Sequence, residues 1–147
     1  MTRPTIDVYY MQMAFLAATR ASCPKRNVGC IITDHDNRVL SIGYNGPPRN
    51  LPSCFDIPCG GETTEHPCIA AHSEISALMA CRDVQAAKTI YITCSPCISC
   101  VQAIMSTKIE RLVFGEVHKT WKKSRSIWTG KYTFMSQFDP SGGLYET

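Results

Sequence analysis

The sequence predicts a three-layer α/β/α protein with a central mixed five-stranded sheet. Five short apolar runs are typical of strands, and the segments around them carry apolar residues at helical spacing. A short turn separates the first two strands, which indicates an antiparallel hairpin. The later strands alternate with helices, which requires some parallel pairing through crossovers. Both kinds of pairing in one chain predict a mixed sheet covered by helices.

The first third of the chain predicts a helix followed by a hairpin. Residues 5–21 place apolar side chains at helical spacing, and Thr5 is suited to cap that helix. Residues 28–33 (VGCIIT) and 39–44 (VLSIGY) are typical of strands, and the run HDN at 35–37 is typical of a turn. These elements supply two of the five predicted strands.

A long polar segment separates this hairpin from the rest of the chain. Residues 45–67 are rich in Pro, Gly, Ser and Thr, which predicts a loop. A structureless loop of that length is unusual in a compact domain, so we expect it to be functional or held by a metal. Beyond it we predict helices at 71–82 and 97–106 and strands at 89–93, 111–115 and 131–136.

Length and composition describe one ordinary domain. The 147 residues suit a single domain over 1–147, and 44% hydrophobic with 18% charged residues is typical of globular proteins. The net charge of +3 does not demand a nucleic-acid partner. Residues 1–20 do not resemble a signal peptide, and no run of about 18 apolar residues exists. We therefore expect no membrane span and a cytoplasmic location, which is the host cytoplasm for a phage-encoded protein.

The cysteine content is unusual. The chain has nine cysteines, an odd number without a secretion signal, which argues against a disulfide framework. Thiolates that bind metal in a reducing compartment fit this count better.

A candidate metal site combines two predicted helix starts. Cys97 and Cys100 form a Cys-x-x-Cys pair at a helix start, where the helix dipole favours thiolates. His72 opens the other helix that follows a loop, and two parallel helices on one sheet face would point both N-termini at one place. Two thiolates and one imidazole leave the fourth position of Zn²⁺ for water, which is typical of a catalytic zinc.

Glu74 then has a chemical role. A zinc site that produces hydroxide needs a group to take a proton and return it, and Glu74 lies two residues from His72. The pattern His-x-Glu followed by Pro-Cys-x-x-Cys is the signature of zinc nucleobase deaminases. A redox Cys-x-x-Cys pair and a purely structural zinc are weaker alternatives, and the structural zinc would leave Glu74 without a task.

The chain resembles the deoxycytidylate (dCMP) deaminases of the cytidine deaminase superfamily, phage and bacterial members included. The resemblance rests on CPKRNVGCIIT, GYNGPPR at 43–49, HSE at 72–74, YITCSPCISC at 91–100 and KIERLVFG at 108–115. It implies a cytidine-deaminase-like fold and hydrolytic deamination of dCMP to dUMP and ammonia, which supplies dUMP for thymidylate synthesis. Zinc-activated water would attack the cytosine ring, and Glu74 would shuttle protons.

The resemblance also implies a set of substrate contacts. Asn45 would contact the sugar or base, and Gly46 would let the backbone approach closely; the alternative for this pair is an ordinary turn. Backbone groups of two serines would fix the base, and cations would bind the 5′-phosphate. The serines are Ser73 and Ser95, and the candidate cations are Arg26, Lys25 and Arg49.

A second, structural zinc is implied by the same resemblance. Cys23, Cys54 and His66 match ligand positions of relatives with a similar loop, and Cys68 or Cys59 would be the fourth ligand. A closed four-ligand zinc would hold a loop too polar to hold itself. Free thiols are the alternative.

Members of the resembled family are commonly hexamers that dCTP activates and dTTP inhibits. We therefore expect a homo-oligomer with dCMP as its ligand. The basic run after the fourth strand includes Lys119 and Lys122, interleaved with Trp121 and Trp128. It could bind a single-stranded nucleic acid, form a solvated face with core tryptophans, or reach the substrate phosphate. Two alternative functions remain: a polynucleotide deaminase similar to tRNA adenosine deaminase, and a non-enzymatic zinc-stabilised binding module.

Overall fold

A computed structural model describes residues 3–57, 59 and 67–136. Its sheet has five strands in the order β2-β1-β3-β4-β5. The strands are β1 (Gly29–Thr33), β2 (Val39–Tyr44), β3 (Thr89–Cys94), β4 (Arg111–Glu116) and β5 (Lys131–Phe134). β1 pairs antiparallel with β2 and β3, whereas β4 pairs parallel with β3 and β5. The predicted mixed sheet is confirmed.

Helices cover both faces of this sheet. They are α1 (Ile6–Ala18), α2 (Ser73–Ala80), α3 (Ile98–Met105), the short α4 (Trp121–Arg125) and a 3₁₀ turn at Val84–Ala86. α1 packs on one face, against β1 and β3, whereas α2 packs against β2, β1 and α3. The result is the predicted three-layer arrangement.

Alternating side chains of the central strands fill two separate cores. Ile31 and Tyr91 pack with Met11 of α1. Their neighbours Ile32 and Ile90 point to the other face and belong to the core that includes residues of α2, α3 and α4. β1 and β3 are fully buried because helices cover both of their faces.

The helices are shorter than the sequence predicts. The predicted helix 5–21 begins as expected, since Thr5 Oγ1 accepts a hydrogen bond from Val8 N at 3.3 Å. It ends at Ala18 because Thr19 and Arg20 donate to carbonyls three residues back, at 3.1 and 3.0 Å, which tightens the last turn. α4 was not predicted because five residues give no helical period to detect.

Gly43 allows α2 to approach β2 closely. A Cβ at Gly43 would lie 2.3 Å from the carbonyl oxygen of Ser73 and 2.6 Å from the amide nitrogen of Ala77. Ser41 Oγ on the same strand donates to the carbonyl oxygen of Ala77 at 2.6 Å. These contacts fix the first turn of α2 against the sheet.

A polar network joins the start of α1 to the sheet. Arg111 forms a bidentate pair with Asp7, at 2.8 and 2.6 Å, and Tyr91 OH donates to Asp7 Oδ1 at 3.0 Å. Arg111 also donates to Thr133 Oγ1 on β5 at 3.2 Å. Burial raises the pKa of Asp7, but the hydrogen bonds and charge of Arg111 and the bond from Tyr91 outweigh it, so the net shift is downward.

Replacing Asp7 by Asn should lower the free energy of unfolding by about 1.5–3 kcal/mol, the usual contribution of hydrogen bonds to charged groups. The folded-state pKa of Asp7 is lowered, so its contribution is complete above the unfolded value of about 3.9 and is lost as pH falls through the folded value. The difference in urea unfolding between wild type and D7N should therefore shrink below about pH 4. The control is E110Q, which removes an exposed carboxylate 4.0 Å from Lys88 and should cost under about 0.5 kcal/mol. Equal effects of the two variants would contradict the prediction.

Candidate functional site

Three candidate metal ligands meet where α2 and α3 begin. His72 is the N-cap of α2 and Cys97 is the N-cap of α3, and neither side chain caps its own helix. His72 Nδ1 lies 3.3 Å from Cys100 Sγ and 3.5 Å from Cys97 Sγ. Within the described residues, this is the one group of three or more His, Cys, Asp or Glu whose ligand atoms all lie within 4.8 Å of one another.

These distances fit a tetrahedral zinc. Zn–S bonds of about 2.3 Å and Zn–N bonds of about 2.0–2.1 Å place sulfur and nitrogen ligands about 3.5 Å apart at a tetrahedral angle. The sulfur–nitrogen distances of 3.3 and 3.5 Å match that edge. Two thiolates with one imidazole are also a donor set that zinc prefers, and three protein ligands leave one position open. The residues present therefore fit the metal.

The two thiols have opposite pKa shifts in the metal-free protein. The hydrogen bond from Cys100, followed by that from His72, lowers the pKa of Cys97 to about 3. The same bond to Cys97, followed by burial, raises the pKa of Cys100. Zinc binding must displace the proton that remains on the pair, because both sulfurs bind a metal as thiolates.

Glu74 lies beside this group on the first turn of α2. Its side chain is buried, with the residue only 4% exposed, and Ser73 Oγ donates to Glu74 Oε2 at 2.9 Å. Burial is the main cause that raises the pKa of Glu74 above its ordinary value. A buried carboxylate with a raised pKa in a cleft is typical of a group that moves protons.

A cavity of about 300 Å³ opens over these residues. Its lining contains the predicted ligands His72 and Cys97, the predicted acid–base group Glu74 and four predicted substrate contacts: Ser73, Ser95, Asn45 and Arg26. The structure therefore brings most of the predicted site into one concave space of ligand size.

Asn45 has a structural task that the sequence did not indicate. Its Oδ1 accepts from Val28 N at 2.7 Å, and its Nδ2 donates to the carbonyl oxygen of Arg26 at 2.8 Å. These bonds fix the segment that carries Arg26 along the cavity wall. One Nδ2 hydrogen and one Oδ1 lone pair are left for a ligand.

Gly46 pairs with Ala71 rather than making a close packing contact. The two residues form an antiparallel bridge, with N···O distances of 3.2 and 2.8 Å. A Cβ at Gly46 would meet only Ser22 Oγ, at 3.5 Å, so packing within the described protein does not require glycine there. The bridge places Ala71, and with it His72, next to the Asn45 segment.

The three predicted phosphate-binding cations are not equivalent. Arg26 lines the cavity, whereas Lys25 and Arg49 are exposed and are not part of its lining. Arg26 Nη2 lies 3.3 Å from Glu116 Oε2. Arg26 is therefore the one of the three that the fold places at the cavity.

The residues predicted to bind a second metal lie partly outside the described chain. Burial raises the pKa of the Cys54 thiol, and charges on Cys23, Cys68 and Cys59 raise it further. Among the described residues these four thiols do not form a close group of three or more like that of His72, Cys97 and Cys100. Cys23 and Cys68 also line the cavity. His66 falls outside the described residues.

The segment that follows β4 contributes residues to the cavity that were not among the predicted site residues. His118 and Thr120 line the cavity, and His118 Nδ1 lies 2.8 Å from Thr120 Oγ1. His118 N donates to Ser95 Oγ at 2.8 Å, and Ser95 N donates to the carbonyl oxygen of Glu116 at 2.8 Å. The available signal was that these residues follow a predicted parallel strand, where binding sites of α/β proteins form.

The tryptophans of the basic run belong to the core. Trp121 is 7% exposed and packs edge-on against Phe114 with ring centroids 4.8 Å apart, and Trp128 packs against the same core. Lys119, Lys122 and Arg125, with an edge of Trp121, line a shallow groove that shares His118 with the cavity. Trp121 exposes too little of its ring to stack fully on a nucleobase, which disfavours the single-strand-binding hypothesis.

Among the described residues, the helices are too short or too polar to cross a bilayer.

Comparison with known proteins agrees with this site. Residues 4–116 match the family model of the cytidine and deoxycytidylate deaminase zinc-binding region. The chain is 36% identical over 143 residues to deoxycytidylate deaminase of Saccharomyces cerevisiae, covering 92% of this chain and 46% of the relative. It is 34% identical over 128 residues to deoxycytidylate deaminase of Mycobacterium phage D29, covering 78% and 97%. The chain thus spans about half the length of the yeast relative and most of the phage relative.

A solved structure shows the same fold. The dCMP deaminase of cyanophage S-TIM5, in complex with dCMP and dUMP, superposes with a TM-score of 0.74 at 20% identity, covering 92% of this chain and 100% of that one. The predicted cytidine-deaminase-like fold is confirmed. The family model covers more than half of the sequence, and its zinc-binding region contains the three clustered ligands and Glu74. The chain therefore belongs to the cytidine and deoxycytidylate deaminase zinc-binding family.

Proposed function

We propose that this chain catalyses the hydrolytic deamination of dCMP to dUMP and ammonia. The observation that carries the proposal is a buried Glu74 that lines the same cavity as His72 and Cys97, which form a cluster with the buried Cys100. The yeast and phage relatives are deoxycytidylate deaminases, and the cyanophage enzyme was solved with dCMP and dUMP. Both facts support dCMP as the substrate.

His72, Cys97 and Cys100 would hold the zinc. When bound, zinc would supply a water of lowered pKa that is nucleophilic near neutral pH. Glu74 would accept a proton from the attacking water and deliver protons to N3 of the base and to the leaving amine. A C4–O bond forms, the C4–N bond breaks, and ammonia leaves, so the net reaction consumes one water.

The neighbouring residues would position the substrate. Ser73 opens α2, so its N–H has no acceptor within the helix and can bind the base. Ser95 N already donates to Glu116, so its carbonyl oxygen would make the second backbone contact. Asn45 would bind the sugar or base, beside Gly46, and Arg26 would bind the 5′-phosphate, with Lys25 and Arg49 as more distant cations.

Ultraviolet-monitored deamination of a substrate panel tests this proposal. The zinc-loaded protein should deaminate dCMP and should be slower with deoxycytidine, CMP, cytidine and dCTP. Turnover of RNA alone would favour the polynucleotide deaminase, and no turnover of any substrate would favour a binding module. Either outcome would overturn the proposed substrate.

We also propose a second, structural zinc held by Cys23, Cys54, His66 and Cys68, with Cys59 as the alternative fourth ligand. The support is the shared electrostatic environment of the four thiols around the buried Cys54. Such a metal would stabilise the loop through ligand bonds rather than through a core.

Metal analysis should therefore give two zincs per chain, and Cys54→Ser should reduce the content to one while the catalytic zinc remains. Cys59→Ala and Cys68→Ala separate the two candidate fourth ligands, since only the true ligand should release metal. One zinc per wild-type chain would contradict the prediction.

The oligomeric state and the regulation of this protein are inferred from the resemblance alone. We propose a homo-oligomer, hexameric as in similar enzymes, that dCTP activates and dTTP inhibits, acting in the cytoplasm.

A further inference from the structure

An ion pair lies at the solvent-exposed edge of the catalytic cavity. Arg26 lines the cavity, and its Nη2 lies 3.3 Å from Oε2 of Glu116 at the end of β4. The side chains are 43% and 58% exposed, and the contact is single rather than bidentate. Pairs of this kind are weak, so a stronger anion can displace the carboxylate.

The charges of the pair act on a residue that lines the cavity. Cys94 lines the same cavity, and its thiol pKa is raised by burial first, while the charges of Arg26, Glu116 and Glu74 also act on it. The charges of Arg26, Glu116 and Glu74 therefore all act on one buried sulfur atom, that of Cys94. A charge on Glu116 can act on a ligand in this cavity.

The backbone of Glu116 is fixed independently of its side chain. Glu116 is aligned with Cys94 in the parallel register of β3 and β4, and its carbonyl oxygen accepts from Ser95 N at 2.8 Å. A change of the side chain should leave these contacts intact. The carboxylate has no part in the metal group or in proton transfer as assigned above.

We propose that Glu116 is a specificity-determining residue that occupies Arg26 as an internal anion and limits the negative charge that the site accepts. This inference rests on the proposed function and on Arg26 as the phosphate contact. A phosphate can form two charge-assisted hydrogen bonds with the guanidinium and displaces the single carboxylate contact. A nucleoside has no group to make that exchange. Each additional phosphate is opposed by the displaced carboxylate, because like charges repel at short range.

The variant Glu116→Gln isolates the charge. Gln retains an oxygen that can accept a hydrogen bond from Arg26, so the orientation of the guanidinium is preserved while the negative charge is removed. The KM for dCMP should fall about three- to tenfold. The reason is that the carboxylate no longer competes with the phosphate for Arg26 and no longer repels it. The kcat for dCMP and both constants for deoxycytidine should change less than about twofold.

The matched control is Glu110→Gln. Glu110 immediately precedes β4, is exposed, and lies 4.0 Å from Lys88. The substitution removes the same charge from the opposite end of β4. Six residues of extended chain place Glu110 about 20 Å from Glu116. E110Q should leave every constant unchanged, which separates a local effect from a change in net charge.

Product binding tests the inference without turnover. By calorimetry, E116Q should bind dUMP about three- to tenfold more tightly than wild type and dUDP with a larger gain, while deoxyuridine binding stays the same. Equal gains for deoxyuridine and dUMP, or no gain for dUMP, would overturn the role of Glu116. If wild type deaminated no free nucleotide, the proposed function would fail, and the binding series would still decide whether Glu116 opposes the phosphate.

Discussion

Replacing Glu74 by Gln should reduce dCMP deamination by about 10²–10⁴-fold, the usual contribution of a positioned acid–base group. Gln is close in size and can still accept the hydrogen bond from Ser73, which is 2.9 Å long in the wild type. It cannot take a proton from water or return one to the leaving amine. The loss should therefore appear in kcat, with little change in the KM for dCMP.

The zinc content is the second measurement for this variant. Glu74 lies outside the group of clustered metal ligands, so E74Q should retain the zinc content of wild type. E110Q makes the same chemical change on the surface and should keep full activity. Activity of E74Q within about tenfold of wild type would remove Glu74 from the chemistry. Loss of zinc together with activity would instead make Glu74 a ligand.

The metal group and its neighbour were predictable because they depend on local sequence. His72 and Cys97 each begin a helix, and the start of a helix is marked in the sequence by turn residues and by Pro96. Thiolate and imidazole side chains at such positions have few tasks other than binding metal. The pattern therefore indicated, before any fold was known, the three residues that the structure clusters and the Glu74 beside them.

The rest of the cavity depends on contacts between distant parts of the chain. Asn45 is held by Val28 and Arg26, 17 and 19 residues away, and no local pattern indicates those backbone partners. His118 lines the cavity only because β4 pairs parallel with β3 and so ends at the same edge of the sheet. Sequence periodicity predicts the strand but not the side chains that its pairing brings together.

The contacts of the glycines were also not predictable from local sequence. The sequence directed attention to Gly46, whereas close approaches of a helix to a strand occur at Gly29, where α1 meets β1, and at Gly43, where α2 meets β2. An Asn-Gly dipeptide indicates a turn, and a glycine inside a strand can indicate close approach of another backbone but not which element approaches. Which glycine a helix packs against is a property of the tertiary structure.

Replacing Cys100 by Ser should abolish deamination and release one zinc per chain. Cys100 is buried, at 1% exposed, and its sulfur lies 3.3 Å from His72 Nδ1, so no other side chain can take its place without rearrangement of α3. Mutations that merely perturb the support of a zinc ligand lower metal affinity about 10–100-fold, and the loss of a ligand should cost at least the upper end of that range.

Zinc titration and thermal unfolding measure this effect directly. Zinc binds the folded site, so it should raise the Tm of wild type with increasing concentration, and this rise should be reduced in C100S. The matched control is Cys94→Ser, which changes another buried thiol that lines the cavity but is absent from the clustered ligands, and it should keep its zinc. Because Glu74 is intact in C100S, activity lost with the metal would assign the nucleophile to the His72, Cys97 and Cys100 site. A C100S protein with full zinc content would show that these three residues do not hold the catalytic metal.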